Sequence, residues 1–192
     1  MFRGLYDWTL RLAHHRHAVR SMAAVSFAES SFFPIPPDVV LVPVVLANRD
    51  RAYTIAGICT IASVLGGMLG YFIGYALLET VGQWLIRLYG MGEGIAQFQQ
   101  TFEAYGAWII LAKGLTPIPF KLITIASGIA QFSFGIFVVT AVITRAFRFY
   151  LIAFLLKRFG EPVQAFIERR LTLIGWAVLI ALIGGFAAVA WL

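Results

Sequence analysis

The sequence predicts an all-α integral membrane protein. It reads as an inverted repeat with two re-entrant helical hairpins, about three transmembrane helices and an N-terminal amphipathic helix. Three observations lead there. Apolar residues make up 60% of the 192-residue chain and its mean hydropathy is +0.85, well beyond the roughly 45–50% apolar content of a soluble domain. Apolar runs at 53–78, 134–156 and 171–192 each supply the roughly 20 residues, rising about 1.5 Å apiece, that a helix needs to cross hydrocarbon. A Pro-Ile-Pro signature occurs twice inside apolar stretches, at 34–36 and 117–119, where no spanning helix can run unbroken.

The elements follow in order. Residues 1–20 set Phe2, Leu5, Tyr6, Trp8, Leu12 and Val19 among Arg and His, the pattern of an interfacial amphipathic helix. They carry no compact apolar region with a small-residue cleavage site, so no cleaved signal peptide is expected. Two short apolar pieces, 21–33 and 37–47, flank Pro34, Pro36 and Pro37. Neither reaches spanning length, so they form a first hairpin over 21–47 that dips in and returns. The polar turn "NRDR" (48–51) leads to the span 53–78, and a Gly- and Gln-rich stretch, 79–105, is expected at the far interface. A second hairpin over 106–131 turns at Pro117 and Pro119 and leads to the span 134–156. A basic connector, 157–170, precedes a C-terminal transmembrane helix, 171–192.

A constant offset of 83 aligns Pro34 with Pro117, Ile35 with Ile118, Pro36 with Pro119 and Ala47 with Ala130. Six of the seven prolines fall in these two elements, which supports an internal repeat over chance likeness. One span separates the hairpins, so they enter from opposite sides, as in many secondary transporters. The N-terminal 20 residues, the 48–51 turn and the 157–170 connector carry ten basic and four acidic residues. The positive-inside rule puts that face, and the N-terminus, in the cytoplasm.

The formal charge is +6, but the basic residues flank apolar spans rather than form a polar basic domain. Anionic lipid is the expected partner, and nucleic acid is not. The single cysteine, Cys59, allows no intrachain disulfide and is read as a packing residue. The "HHRH" run at 14–17 is a solvated helix face rather than a metal site. No phosphate loop, nucleophile motif or metal-ligand spacing appears, so no cofactor, metal or catalytic residue is expected.

Six ionisable residues fall at membrane depth: Glu29, Asp38, Lys113, Lys121, Arg145 and Arg148. Each costs about 3 kcal/mol or more there, which makes function the default reading. The plainer alternatives are snorkelling and structural salt bridges. Arg145 and Arg148 share a helix face and can each donate paired hydrogen bonds to phosphate oxygens. With Lys113 and Lys121 they set four cations against two carboxylates, an excess suited to an anionic headgroup. Glu29 and Asp38, placed among cations, are candidates for proton coupling; Asp38 also suits a helix N-cap. Ala62, Gly66, Gly70 and Gly74 recur every fourth residue and make a face for close helix packing.

Together the runs "ESSFFPIPPD" (29–38), "GGMLGYFIG" (66–74), "KGLTPIPFKLITIASG" (113–128) and "TRAFRFY" (144–150) resemble the DedA family. They are closest to its short YqaA-like branch, and the family shares its membrane domain with the VTT, or SNARE-associated, proteins. The resemblance covers roughly residues 20–160, a membrane domain at 21–160. It implies an inner-membrane protein that moves lipids such as undecaprenyl phosphate or phospholipids between leaflets and supports the proton-motive force. It also implies that the family's acidic positions fall on Glu29 and Asp38. Its basic positions fall on Lys113 and Lys121, here lysines eight residues apart where arginines at a shorter interval are usual.

The resulting expectation is a lipid translocase or scramblase, not an enzyme, that is proton-coupled through its carboxylates. A proton-coupled solute or small-ion transporter and a non-catalytic assembly factor are the alternatives. A homo-oligomer is left open.

Overall fold

The computed structural model describes residues 17–32, 36–82, 92–114 and 119–160. Most of the amphipathic segment, Pro34, Pro117 and the C-terminal span 171–192 lie outside the described residues. All regular structure among the described residues is helical. Helix α1 covers Ala18–Ser31, α2 Asp38–Ala47, and a 3₁₀ turn Arg49–Arg51 leads into α3, Ala52–Leu77. A π turn, Leu78–Gly82, extends α3; α4 covers Gly92–Gly114, α5 Phe120–Ile129 and α6 Phe134–Gly160. Two of these segments, Arg49–Thr80 and Phe134–Gly160, are long and apolar enough to cross a membrane.

The prolines set the breaks. A proline lacks the N–H that a helix interior needs and drives the preceding residue out of helical geometry. At α2, Pro37 occupies the N-cap position and Asp38 is the first helical residue. The Pro36 carbonyl accepts from the Val39 N–H at 3.3 Å and the Pro37 carbonyl from Leu41 at 2.8 Å. Asp38 is therefore not the N-cap that its position suggests, because a proline takes that place and the carboxylate reaches Arg148 instead. Helix α5 likewise starts just after Pro119, whose ψ of 124° is extended. It ends where Gln131 takes φ 52°, with Phe132 N–H bonding to the Ser127 carbonyl and Gln131 N–H to that of Gly128. That pair of bonds satisfies the last carbonyls and stops the helix.

Helix α4 departs from expectation. The stretch 92–105, assigned to an interface, is continuous with 106–114 in one helix of 23 residues. Nothing between Gly94 and Gly114 breaks a helix, and Gly106 is no hinge: a Cβ there would come within 2.7 Å of the Phe132 ring. The glycine makes room for an aromatic side chain arriving from the α5–α6 turn.

Two apolar clusters hold the helices. One joins Met22 of α1, Leu41 and Val44 of α2 and the start of α3, Ile55 to Cys59, with Phe149 and Ala153 late in α6. The other joins Tyr71, late in α3, with Ile110 of α4, Phe120 and Ile123 of α5, and Phe137 early in α6. Each long helix thus packs one pair of shorter elements at one end and the other pair at its opposite end. In the second cluster the Tyr71 ring lies 5.2 Å from the Phe134 and Phe137 rings, and its hydroxyl donates to the Phe132 carbonyl at 2.6 Å. Tyr71→Phe is expected to cost about 1 kcal/mol, read as a small drop in thermal midpoint; an unchanged midpoint would mean that this bond contributes nothing.

Large apolar side chains also cover much of the outer surface. Ile61 is 63% exposed, and Val139, Ile143, Phe147 and Phe154 line α6 at 49–58%. An exposed apolar surface this continuous is foreign to a protein in water and fits hydrocarbon surroundings.

Candidate functional site

The buried polar residues gather where α1 ends, where α2 and α5 begin, and where the middles of α3 and α6 pass. Glu29 and Ser30 come from the last turn of α1, Asp38 from the first turn of α2, and Lys121 and Thr124 from the first turns of α5. Helix α3 supplies Ser63 and α6 supplies Arg145 and Arg148. Proline breaks place helix ends, not helix middles, in the interior, so short polar side chains and carboxylates meet there.

Each carboxylate takes one arginine. Arg145 Nη2 donates to Glu29 Oε2 at 3.1 Å, and both side chains are more than nine-tenths buried. The Arg145 guanidinium also lies 3.8 Å above the centroid of the Phe120 ring and 5.6 Å from that of Phe149. Those π faces partly replace the water a cation loses on burial. Ser30 Oγ lies 3.2 Å from Glu29 Oε2 and 2.7 Å from Ser63 Oγ. An ionised carboxylate only accepts, so the chain runs from Ser63 to Ser30 to Glu29, with Arg145 donating from the other side.

The second pair, Arg148 Nη2 with Asp38 Oδ2, is about a quarter exposed on both side chains. The two arginines are three residues apart and so address two carboxylates from different helices along one face of α6. Among the described residues, Asp38 Oδ1 and Arg145 Nε are buried without a hydrogen-bond partner. Such atoms mark a polar site with capacity to spare.

Thr124 ties the second proline element to the first. Its hydroxyl lies 3.1 Å from the Ser30 carbonyl and 2.9 Å from that of Lys121. The glycines of α3 permit this approach. A Cβ at Gly66 would enter the van der Waals shell of the Phe27 carbonyl oxygen, one at Gly74 that of the Ile125 carbonyl, and one at Gly70 would meet Thr124. Both proline-bounded elements therefore rest on one glycine ridge.

The sequence candidates fall into three groups. Glu29, Asp38, Arg145 and Arg148 come together, but as two ion pairs rather than as arginines open to an anion. Asp38, which the repeat aligns with Lys121, is bonded to Arg148. Lys121 is half-buried, and no carboxylate among the described residues lies within ion-pair distance of it. Lys113 lies in the last turn of α4, with its side chain outside the described set. Pro36, Pro37 and Pro119 stand at helix starts.

Sequence reasoning passed over Ser26, Ser30, Ser63, Thr124 and Phe120. A signal for the hydroxyls was present: Ser26 and Ser30 lie four apart and Thr60 and Ser63 three apart, one face each of otherwise apolar helices. In the structure Ser26 Oγ donates to the Cys59 carbonyl at 3.0 Å. Cys59 is buried in the first apolar cluster.

Apolar outer faces around a buried, ion-paired interior define a helical membrane protein with a polar core. The family model described as the VTT domain matches residues 34–158. An uncharacterized protein of Haemophilus influenzae is 37% identical over 180 residues, covering 94% of this chain and 93% of its own length. An uncharacterized protein of Histophilus somni, described as an HI0703 homolog, is 36% identical over 180 residues, 94% of each chain. No solved structure matches. The chain belongs to the VTT-domain, or DedA, family, a group of membrane proteins linked to lipid or ion transport rather than to catalysis.

Proposed function

We propose that this protein moves an anionic lipid phosphate, undecaprenyl phosphate or a phospholipid, between the leaflets of a bacterial inner membrane. Its N-terminus is cytoplasmic. The observation that carries this reading is the distribution of charge in the interior. Glu29 and Asp38 neutralise Arg145 and Arg148, so the cationic excess falls on the lysines, of which Lys121, at the first turn of α5, has no carboxylate partner among the described residues. That turn also offers backbone N–H groups that have no intrahelical partner, a setting that favours anions. A headgroup phosphate held at Lys121 then competes with the carboxylates for the neighbouring arginines. Protonation of Glu29 or Asp38 releases its arginine to phosphate, and deprotonation takes the arginine back, so lipid movement is coupled to protons.

The proline-bounded elements act as re-entrant hairpins of an inverted repeat. Support comes from the way each long helix serves one pair of short elements at each end. Irregular backbone at membrane depth is tolerated only against protein or water, which the shared interior provides.

Liposomes carrying the full chain and either fluorescent phospholipid or undecaprenyl phosphate test the proposal. Lys121→Ala is expected to lower the lipid-flipping rate at least tenfold while the protein remains folded, since about 1.4 kcal/mol of lost anion contact suffices for that factor. Equal rates for wild type and Lys121→Ala would overturn the site. Ion flux that depends on Glu29 or Asp38 without lipid movement would indicate the solute transporter instead. Retained complementation after removal of all six interior charges would indicate an assembly factor.

A further inference from the structure

A second cluster lies at the "NRDR" end of the molecule, on its outer face and apart from the ion-paired interior. Tyr53, near the start of α3, stacks on Tyr150 of α6, with ring centroids 6.2 Å apart and an interplanar angle of 13°. Lys157, two turns along α6, places its ammonium 4.9 Å from the centroid of the Tyr53 ring. The Arg49 side chain crosses Gly160, where a Cβ would come within 2.7 Å of its guanidinium. That contact brings the Arg49–Arg51 turn beside the end of α6, so Arg51 and Arg158, both exposed, belong to the same end.

Two features suit this cluster to a ligand. Tyr53 and Tyr150 are 41% and 42% exposed, and neither phenol hydroxyl has a hydrogen-bond partner among the described residues. Gly57 adds a reason for the arrangement: a Cβ there would lie 3.1 Å from the Tyr150 hydroxyl, so the bare helix surface lets that ring lie across α3. Free phenol donors, an oriented ammonium and flanking guanidinium groups are complementary to phosphodiester oxygens. The exposed side chains of Phe147, Ile143 and Val139 continue along α6 from Tyr150 away from the basic end, and offer acyl chains an apolar track.

We propose that Tyr53, Tyr150 and Lys157, flanked by Arg51 and Arg158, form a binding site for the headgroup of an anionic phospholipid from the surrounding leaflet. This lipid is retained at the outer face and is not the one carried through the interior. Tyrosine at the headgroup level is favoured by its apolar ring and polar tip, and each basic residue near an anionic surface contributes about a fivefold gain in binding.

Native mass spectrometry of the full chain in detergent, titrated with phosphatidylglycerol or phosphatidylcholine, tests this site. Wild type is expected to retain phosphatidylglycerol preferentially. Lys157→Gln should weaken that retention about fivefold, Lys157→Arg should restore it, and the triple change Tyr53→Leu, Tyr150→Leu, Lys157→Gln should erase the preference. Each variant is also built on Lys121→Gln, so that a headgroup held at the interior site drops out of the comparison and the remaining change reads this site alone. An undiminished preference in the triple variant would overturn the proposal. So would displacement of the lipid by inorganic phosphate.

Discussion

Arg145→Met is expected to destabilise the protein by about 3–5 kcal/mol, because it strands the Glu29 carboxylate in an interior where no other cation among the described residues is bonded to it. The companion change reverses most of that loss. Glu29→Gln combined with Arg145→Met removes both charges, keeps a hydrogen-bonding amide beside Ser30 and leaves an apolar chain against Phe120 and Phe149. Replacing a buried pair with well-packed neutral residues is often close to neutral in stability. The double variant should therefore recover the thermal midpoint yet remain inactive in lipid flipping. Recovery of both would show that the pair is structural alone; recovery of neither would mean that the ionic contact is indispensable to the fold. Asp38→Asn makes a useful comparison. Its pair with Arg148 is about a quarter exposed, so water stands in for the lost partner and the penalty should be clearly smaller.

The second large effect is steric. Gly66→Leu or Gly74→Leu would drive a side chain into a backbone carbonyl, that of Phe27 or Ile125, which no rotamer change relieves. Overpacking of this kind costs about 1–3 kcal/mol, and more where backbone must move. The expected result is loss of monodisperse folded protein at both positions. Gly94→Leu, in open space on α4, serves as the control. If all three variants behave alike in size-exclusion chromatography, the glycine ridge is not a packing surface.

Much of this was legible in sequence because apolar length and proline position act locally. The breaks at Pro36, Pro37 and Pro119 and the spans in α3 and α6 follow from what a backbone without an N–H can do and from how far a helix rises per residue. The six ionisable residues inside apolar stretches were legible by their cost. Their pairing was not. Glu29 finds Arg145 across 116 positions and Asp38 finds Arg148 across 110, and no local rule selects those partners over the lysines. The length of α4 was misjudged for a related reason. Its first half is polar and mostly exposed, so composition suggested an interface, whereas helix continuity depends on the absence of breakers more than on hydropathy.

The glycine ridge of α3 meets α1 and α5, whereas the ion pairs from α6 hold α1 and α2, and the two kinds of contact differ in what can loosen them. Contact between α3 and the carbonyls of Phe27 and Ile125 is backbone against backbone, with no ionisable group at the point of closest approach. Neither a proton nor a phosphate has anything there to act upon. The α6 side is held to Glu29 and Asp38 by charge, which both agents can change. The molecule is therefore chemically one-sided: under the lipid movement proposed above, α3 is the fixed wall, and an opening driven by lipid or protons takes place along α6.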